Sequence, residues 1–112
     1  MKVEIWSDVV CPFCYIGKRK FENALNTFSQ KDKVEIVWRS FQLDPTTKAA
    51  PGKSVAESLA EKKGLPLQQV YSMMQHVDEM AKEVGLHYNM EKAIVANTFN
   101  AHRLLQFAAT KG

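Results

Sequence analysis

A mixed α/β fold, opened by a parallel βαβ unit and continued by an all-helical part, is predicted by three features of the sequence. The N-terminal third reads strand, helix, strand. The character changes near residue 43, where Asp44-Pro45 and Ala50-Pro51-Gly52 interrupt any regular element. Beyond these breakers, apolar residues recur at helical spacing to the last residues. The 112 residues suit a single folded domain with a modest core.

Each element follows from its own pattern. Lys2 to Trp6 alternates polar and apolar and then meets the Ser7-Asp8 turn signal, which reads as a short strand. Pro12 suits the first turn of a helix, where its missing N–H costs nothing. Ile16, Phe21, Ala24, Leu25 and Phe28 continue that helix, and Gly17 is expected to let it pack closely on the sheet. Gln30 to Lys33 is a polar loop. Val34 to Phe41, rich in β-branched and aromatic residues, is the second strand. A strand, helix and strand in this order make a βαβ unit with parallel, right-handed connection.

The second part is helical. Ser54 caps a short helix with Glu57 as its capping-box partner, and Gly64 ends it. Leu67 to Val84 is the most regular helix, with Val70, Met73, Met74, Val77, Met80, Ala81 and Val84 in one stripe; Gly85 closes it. Tyr88 to Ile94 is a loop or short extended piece. Asn97 or Thr98 opens a last helix, with Phe99, Ala101, Leu104, Leu105 and Ala108 expected to face inward. The expected division is therefore residues 1–43 and residues 44–112. Two strands seldom form a stable sheet alone, and parallel edges invite pairing. The expectation is a fragment of a longer chain, or strand sharing with a partner such as a second copy.

Composition narrows the function. The net charge is +3, small and mixed in sign along the chain, and no basic patch with interleaved aromatics points to nucleic acid. Lys18-Arg19-Lys20 reads as the solvated face of a helix. No apolar stretch is long enough to span a bilayer. The N-terminus runs into a strand without an apolar leader, so the expected location is cytoplasmic.

The two cysteines, Cys11 and Cys14, are spaced C-x-x-C and fall where the first strand hands over to the helix. Open α/β sheets place their sites at that edge. Cys11 at a helix N-terminus is expected to be the more exposed, nucleophilic sulfur, because unpaired N–H groups and the helix dipole favour its thiolate. Cys14, a turn further in, is the resolving thiol. Half of a zinc site has the same spacing, but His76, His87 and His102 show no paired ligand spacing, so redox chemistry is favoured over metal. Asp8 is a candidate proton relay or a turn residue. Trp6 and Tyr15 are candidates to line the site, as well as core or helix-packing residues. Met73, Met74 and Met80 read as core filler before they read as an adaptable peptide surface.

Trp6-Ser7-Asp8-Val9-Val10-Cys11-Pro12-Phe13-Cys14-Tyr15-Ile16-Gly17-Lys18 resembles the active-site segment of the thioredoxin-fold DsbA family, in particular its FrnE-like branch. Phe41-Gln42-Leu43-Asp44-Pro45 and Asn97-Thr98-Phe99-Asn100-Ala101-His102-Arg103-Leu104 resemble two later segments of that family. The resemblance implies a thioredoxin-like start interrupted by an all-helical insertion, with nothing matching the family's C-terminal thioredoxin half and its cis-proline. It implies a thiol–disulfide oxidoreductase acting on protein thiols and disulfides through Cys11 and Cys14. Asp8, Pro12, Phe13, Tyr15 and His102 are the implied neighbours of the dithiol, His102 being a structural histidine or one that faces the site. No cofactor beyond the Cys11–Cys14 disulfide is implied, with glutathione as an alternative thiol partner. Related 2-hydroxychromene-2-carboxylate isomerases and kappa-class glutathione transferases usually carry serine at the first cysteine position, so Cys11 favours disulfide chemistry over glutathione-linked isomerisation. A non-catalytic interaction or zinc-binding fragment is the third reading.

Overall fold

The computed structural model describes residues 1–112. Strand β1 (Lys2–Ser7) is followed by helix α1 (Pro12–Thr27), strand β2 (Glu35–Ser40), and helices α2 (Val55–Lys63), α3 (Leu67–Glu83) and α4 (Phe99–Ala109). Short 3-10 turns occupy Lys31–Lys33, within the expected polar loop, and Met90–Lys92, where a loop or short extended piece is expected. β1 and β2 form a two-stranded parallel sheet in the register Lys2↔Glu35 to Ser7↔Ser40. This is a mixed α/β fold of the expected kind.

The chain forms two compact units, Met1–Pro45 with Thr98–Gly112, and Thr46–Asn97. The first boundary falls where the breakers begin. The second differs from the expected 44–112 division, because α4 belongs with the βαβ unit. Long-range hydrogen bonds account for it: Gln106 Nε2 donates to Ser40 Oγ at 2.8 Å, and His102 bonds Asp8.

In the unit Thr46–Asn97 the helix ends follow their capping chemistry. Ser54 Oγ accepts the Glu57 N–H at 3.1 Å at the start of α2. Gly64 takes the left-handed conformation (φ 63°) and lets Leu65 N–H reach back to the Ala60 carbonyl. Gly85 (φ 78°) does the same for α3, with Leu86 N–H on the Ala81 carbonyl at 2.9 Å. Val70, Val77 and Ala81 of α3 are buried with Ala56 of α2 and Leu86. Met74, Met80 and Val84 are half-buried, and Met73 lies outside the stripe's covered centre, exposed. Asn97 Nδ2 donates to the Thr47 carbonyl at 2.9 Å and ties the two ends of this unit together.

In the other unit, Ile16 of α1 is the buried apolar residue. Two expectations fail here. A Cβ on Gly17 would meet nothing within 4 Å, so this glycine is not needed for close packing on the sheet. On α4 the expected inward residues Phe99, Ala101, Leu104, Leu105 and Ala108 are exposed, and His102 is the buried one. The periodicity identifies an apolar face, but the contacts that bury this helix are polar and fall on Thr98 and His102. No helix is long and apolar enough to cross a membrane.

Candidate active site

The dithiol is assembled by a turn between β1 and α1. Cys11 is the N-cap of α1 in extended conformation, and Pro12 occupies its first turn. Cys11 N–H bonds the Asp8 carbonyl at 3.2 Å, and Cys14 N–H bonds the Cys11 carbonyl at 3.1 Å. These two bonds wind the chain from strand into helix and bring both sulfurs to the carboxyl end of β1. Both cysteines are free thiols and both are half-buried. The expected contrast between an exposed Cys11 and a sheltered Cys14 is therefore absent.

The local field on the pair also differs from the expectation for Cys11. Burial pushes the Cys11 thiol up, and its hydrogen bond to Cys14 adds to this, while the backbone N–H groups of Cys14 and Phe13 act in the opposite sense. Burial opposes the Cys14 thiolate too. Hydrogen bonds from the Asp8 backbone, the Cys11 side chain and Ser7 outweigh it, and the negative charge of Asp8 pulls the other way; the net direction for Cys14 is down. The environment therefore favours the thiolate at Cys14 over that at Cys11.

Asp8 organises the surroundings. It is 4% exposed. Its Oδ2 accepts the Leu43 N–H at 2.9 Å, and its Oδ1 lies 3.0 Å from His102 Nε2. Burial alone would raise the carboxyl; the bonds from Leu43 N–H, the Thr98 side chain and His102 reverse this and hold it below its usual range. Gln42 Nε2 reaches Thr98 Oγ1 at 3.5 Å. Of the three sequence segments singled out above, the one around residues 6–18 supplies this carboxylate, and those around 41–45 and 97–104 send Leu43, and Thr98 and His102, to it.

His102 is accordingly a structural partner of Asp8, and its Nδ1 is buried without a hydrogen-bond partner. Thr98 is the N-cap of α4, but its side chain serves Asp8 and does not cap the helix. Asn97 stands one residue before that N-cap and donates its Nδ2 to the Thr47 carbonyl. Arg103 bonds Asn100 Oδ1 at 3.3 Å on the helix surface. Sequence reasoning missed Gln42, Leu43 and Thr98 as supports of Asp8. The Leu43 contribution is a backbone N–H and leaves no side-chain signal.

Around the sulfurs the surface is apolar. Val9, Val10 and Phe13 are each more than half exposed beside Cys11. An open cleft of about 290 Å³ is lined by Ser7, Asp8, Val9, Cys11, Cys14, Tyr15 and Lys18. Tyr15 lies under the Arg19 guanidinium, 5.5 Å from the ring centre. Lys18 pairs with Glu22 and stands 5.7 Å over the Trp38 ring, so the basic triplet is largely engaged on the helix surface. Trp6, exposed, lines a second cleft of about 310 Å³ between sheet and α1 that also reaches Cys14. No group of three or more His, Cys, Asp or Glu side chains is close enough to hold a metal ion.

These features define a thioredoxin-type dithiol turn, and the chain belongs to the family described as the DSBA-like thioredoxin domain, whose model matches residues 2–112. The crystal structure of a probable DsbA oxidoreductase from Streptomyces coelicolor is similar over the whole of this chain, with 40% identity and a TM-score of 0.90. This chain covers 48% of that one. A Bacillus subtilis (strain 168) protein, the uncharacterised YwbO, is 46% identical over 44 residues, which are 39% of this chain and 20% of that protein. The chain therefore spans about half the length of the solved relative.

Proposed function

We propose that this chain carries the dithiol half-site of a thiol–disulfide oxidoreductase acting on protein thiols, with Cys11 and Cys14 as the redox pair. The observation that supports this most is the placement of a C-x-x-C pair at the first turn of α1, just past the carboxyl end of β1, in a chain of the DSBA-like family. The similarity to a probable DsbA oxidoreductase supports the same kind of chemistry. The three motifs in order favour the FrnE-like branch, and a cytoplasmic setting belongs to the same proposal.

In the oxidising direction a substrate thiolate attacks Cys11 of the Cys11–Cys14 disulfide. The S–S bond breaks, its electron pair passes to Cys14, and a substrate–Cys11 mixed disulfide forms. The second substrate thiolate then attacks the substrate sulfur of that bond, and Cys11 leaves as a thiolate. The substrate loses two electrons and its thiol protons; Cys11 and Cys14 gain both. Cys11 is placed at the attacked position because it stands at the N-cap of α1 beside exposed Val9, Val10 and Phe13, whereas the thiolate left on Cys14 is the one whose pKa is lowered. Exposed Val9, Val10 and Phe13 offer an apolar seat for an unfolded polypeptide beside it. The direction of turnover is set by the potential, where about 30 mV corresponds to about 1.4 kcal/mol.

The test is catalysed reduction of insulin by dithiothreitol, compared for the wild type, Cys11→Ser and Cys14→Ser. The expected result is activity in the wild type, none in Cys11→Ser, and accumulation of a mixed disulfide in Cys14→Ser. Equal rates for wild type and Cys11→Ser would sink the proposal.

A further inference from the structure

The sheet has two strands, so β1 and β2 each keep one edge without a ladder. Such an edge carries unpaired N–H and C=O groups and is a template for a further strand. The edge of β1 is set apart by what lies beside it. The apolar cleft of about 310 Å³ takes Val3, Ile5 and Trp6 from β1 and Gly17 and Phe21 from α1, but only Trp38 from β2. It therefore opens along β1, and it leaves both tryptophans in contact with water.

Gly17 is a second, independent sign. It stands inside α1, where glycine is the weakest helix former apart from proline. Its φ is not in the left-handed region, and a Cβ there would meet nothing within 4 Å. Nothing within this chain calls for a glycine at that place. A close approach by another backbone does.

A second copy of the chain is one candidate occupant, but it brings an equal charge of +3. A twofold contact also uses one patch on each copy. This unit leaves more than one: Leu104, Leu105 and Phe107 of α4 are each more than half exposed, and no α4 residue lines the cleft. A larger occupant is indicated by the solved Streptomyces relative, which this chain matches over its own whole length while covering 48% of that one.

We propose that the cleft between β1 and α1 seats a strand from polypeptide equivalent to the part of the Streptomyces protein that this chain does not cover, with Gly17 as the point of closest approach. The strand pairs with the free edge of β1 and sets apolar side chains against Val3, Ile5 and Phe21. Cys14 also lines this cleft, so the strand closes that side of it and leaves the cleft shared with Cys11 as its approach. The proposal is independent of the redox reading.

The test labels the chain with 5-fluorotryptophan, so that Trp6 and Trp38, its two tryptophans, each give one fluorine resonance. The labelled chain is refolded with the unlabelled remainder of the Streptomyces protein, expressed as a separate polypeptide. The expected result is a one-to-one complex by size exclusion with mass detection, in which both resonances move. Gly17→Leu is expected to keep the circular dichroism of the wild type, since its side chain enters open space. It should bind about tenfold more weakly, because that space is filled before the strand arrives. Should Gly17→Leu lose its helix signal, Gly17→Ala, a stronger helix former, takes its place with an expected loss of about threefold. Resonances that stay in place on mixing, or an affinity unchanged in the folded variant, would overturn the proposal. So would a chain that is dimeric by itself and whose two resonances move when it is diluted to monomer, because the cleft would then belong to a second copy.

Discussion

Between Thr46 and Asn97 the buried residues are Ala56, Val70, Val77, Ala81 and Leu86; in the other unit they are Ile16 together with Asp8, Thr98 and His102. The helical unit is held by removing apolar surface from water, a non-directional force that tolerates small shifts. The unit that carries the dithiol buries a polar knot, which is stable only while every member keeps its partner. It also leaves Trp6, Trp38, Phe41, Leu104 and Phe107 in solvent. The same chain thus contains an ordinary apolar core in one unit and, in the other, a dithiol turn whose geometry depends on hydrogen bonds and charge. Such a turn responds to protons and to single substitutions in ways the helical unit does not.

Removing the centre of the knot should have the largest effect. Asp8→Ala leaves Leu43 N–H, Thr98 and His102 without their acceptor, and is expected to cost about 3 kcal/mol of stability. Tryptophan fluorescence during denaturation isolates this unit, since Trp6 and Trp38, the two tryptophans of the chain, both lie in it. A loss below about 0.5 kcal/mol, the level of ordinary surface substitutions, would mean that the knot is incidental. Acid should titrate the same contribution. Asp8 has its carboxyl held below the ordinary value of 3.8. Its stabilisation is therefore fully present above that pH and is lost as pH falls through the lower, folded value. A tryptophan-detected transition that is flat from neutrality to pH 3 to 4, and then declines, is the expected profile.

The helical unit should respond differently. Val70, 1% exposed, is at the centre of its core. Val70→Ala is expected to cost about 2 kcal/mol by leaving a cavity, with little change in the tryptophan signal of the native state. Helix loss is the readout, by far-ultraviolet circular dichroism. An equal pH dependence for this variant and for Asp8→Ala would erase the contrast between the units. The smallest effect is at the start of α2, where Ser54→Ala removes the acceptor of the Glu57 N–H and should cost about 1 kcal/mol.

Much of this architecture is legible in the residues themselves. The strands, α1, α2 and α3 follow from alternation, from helical periodicity and from the Ser54, Gly64 and Gly85 end signals. The position of Cys11 and Cys14 at the strand-to-helix turn follows from the βαβ pattern. The knot does not. Asp8 and Thr98 have the local sequence signatures of a turn and a cap, His102 reads as a structural or site-facing histidine without a named partner, and nothing local records that Asp8 and His102, 94 positions apart, share a hydrogen bond. The failure on α4 has the same origin. Hydrophobic periodicity shows that Phe99, Leu104 and Leu105 share an apolar face, but not which face the neighbouring elements meet. In this unit Thr98 and His102 meet them, and so the helix is placed by its polar residues.

The central claim is that Cys11 and Cys14 form a reversible redox pair. Its most direct test is equilibration of the chain in glutathione buffers of graded ratio, followed by acid quenching and intact mass. The account predicts a single reversible transition in which the chain loses a pair of hydrogens as the Cys11–Cys14 disulfide forms, and in which Cys14→Ser stops at a glutathione adduct on Cys11. A wild type that yields only glutathione adducts, or no change at any ratio, would contradict it.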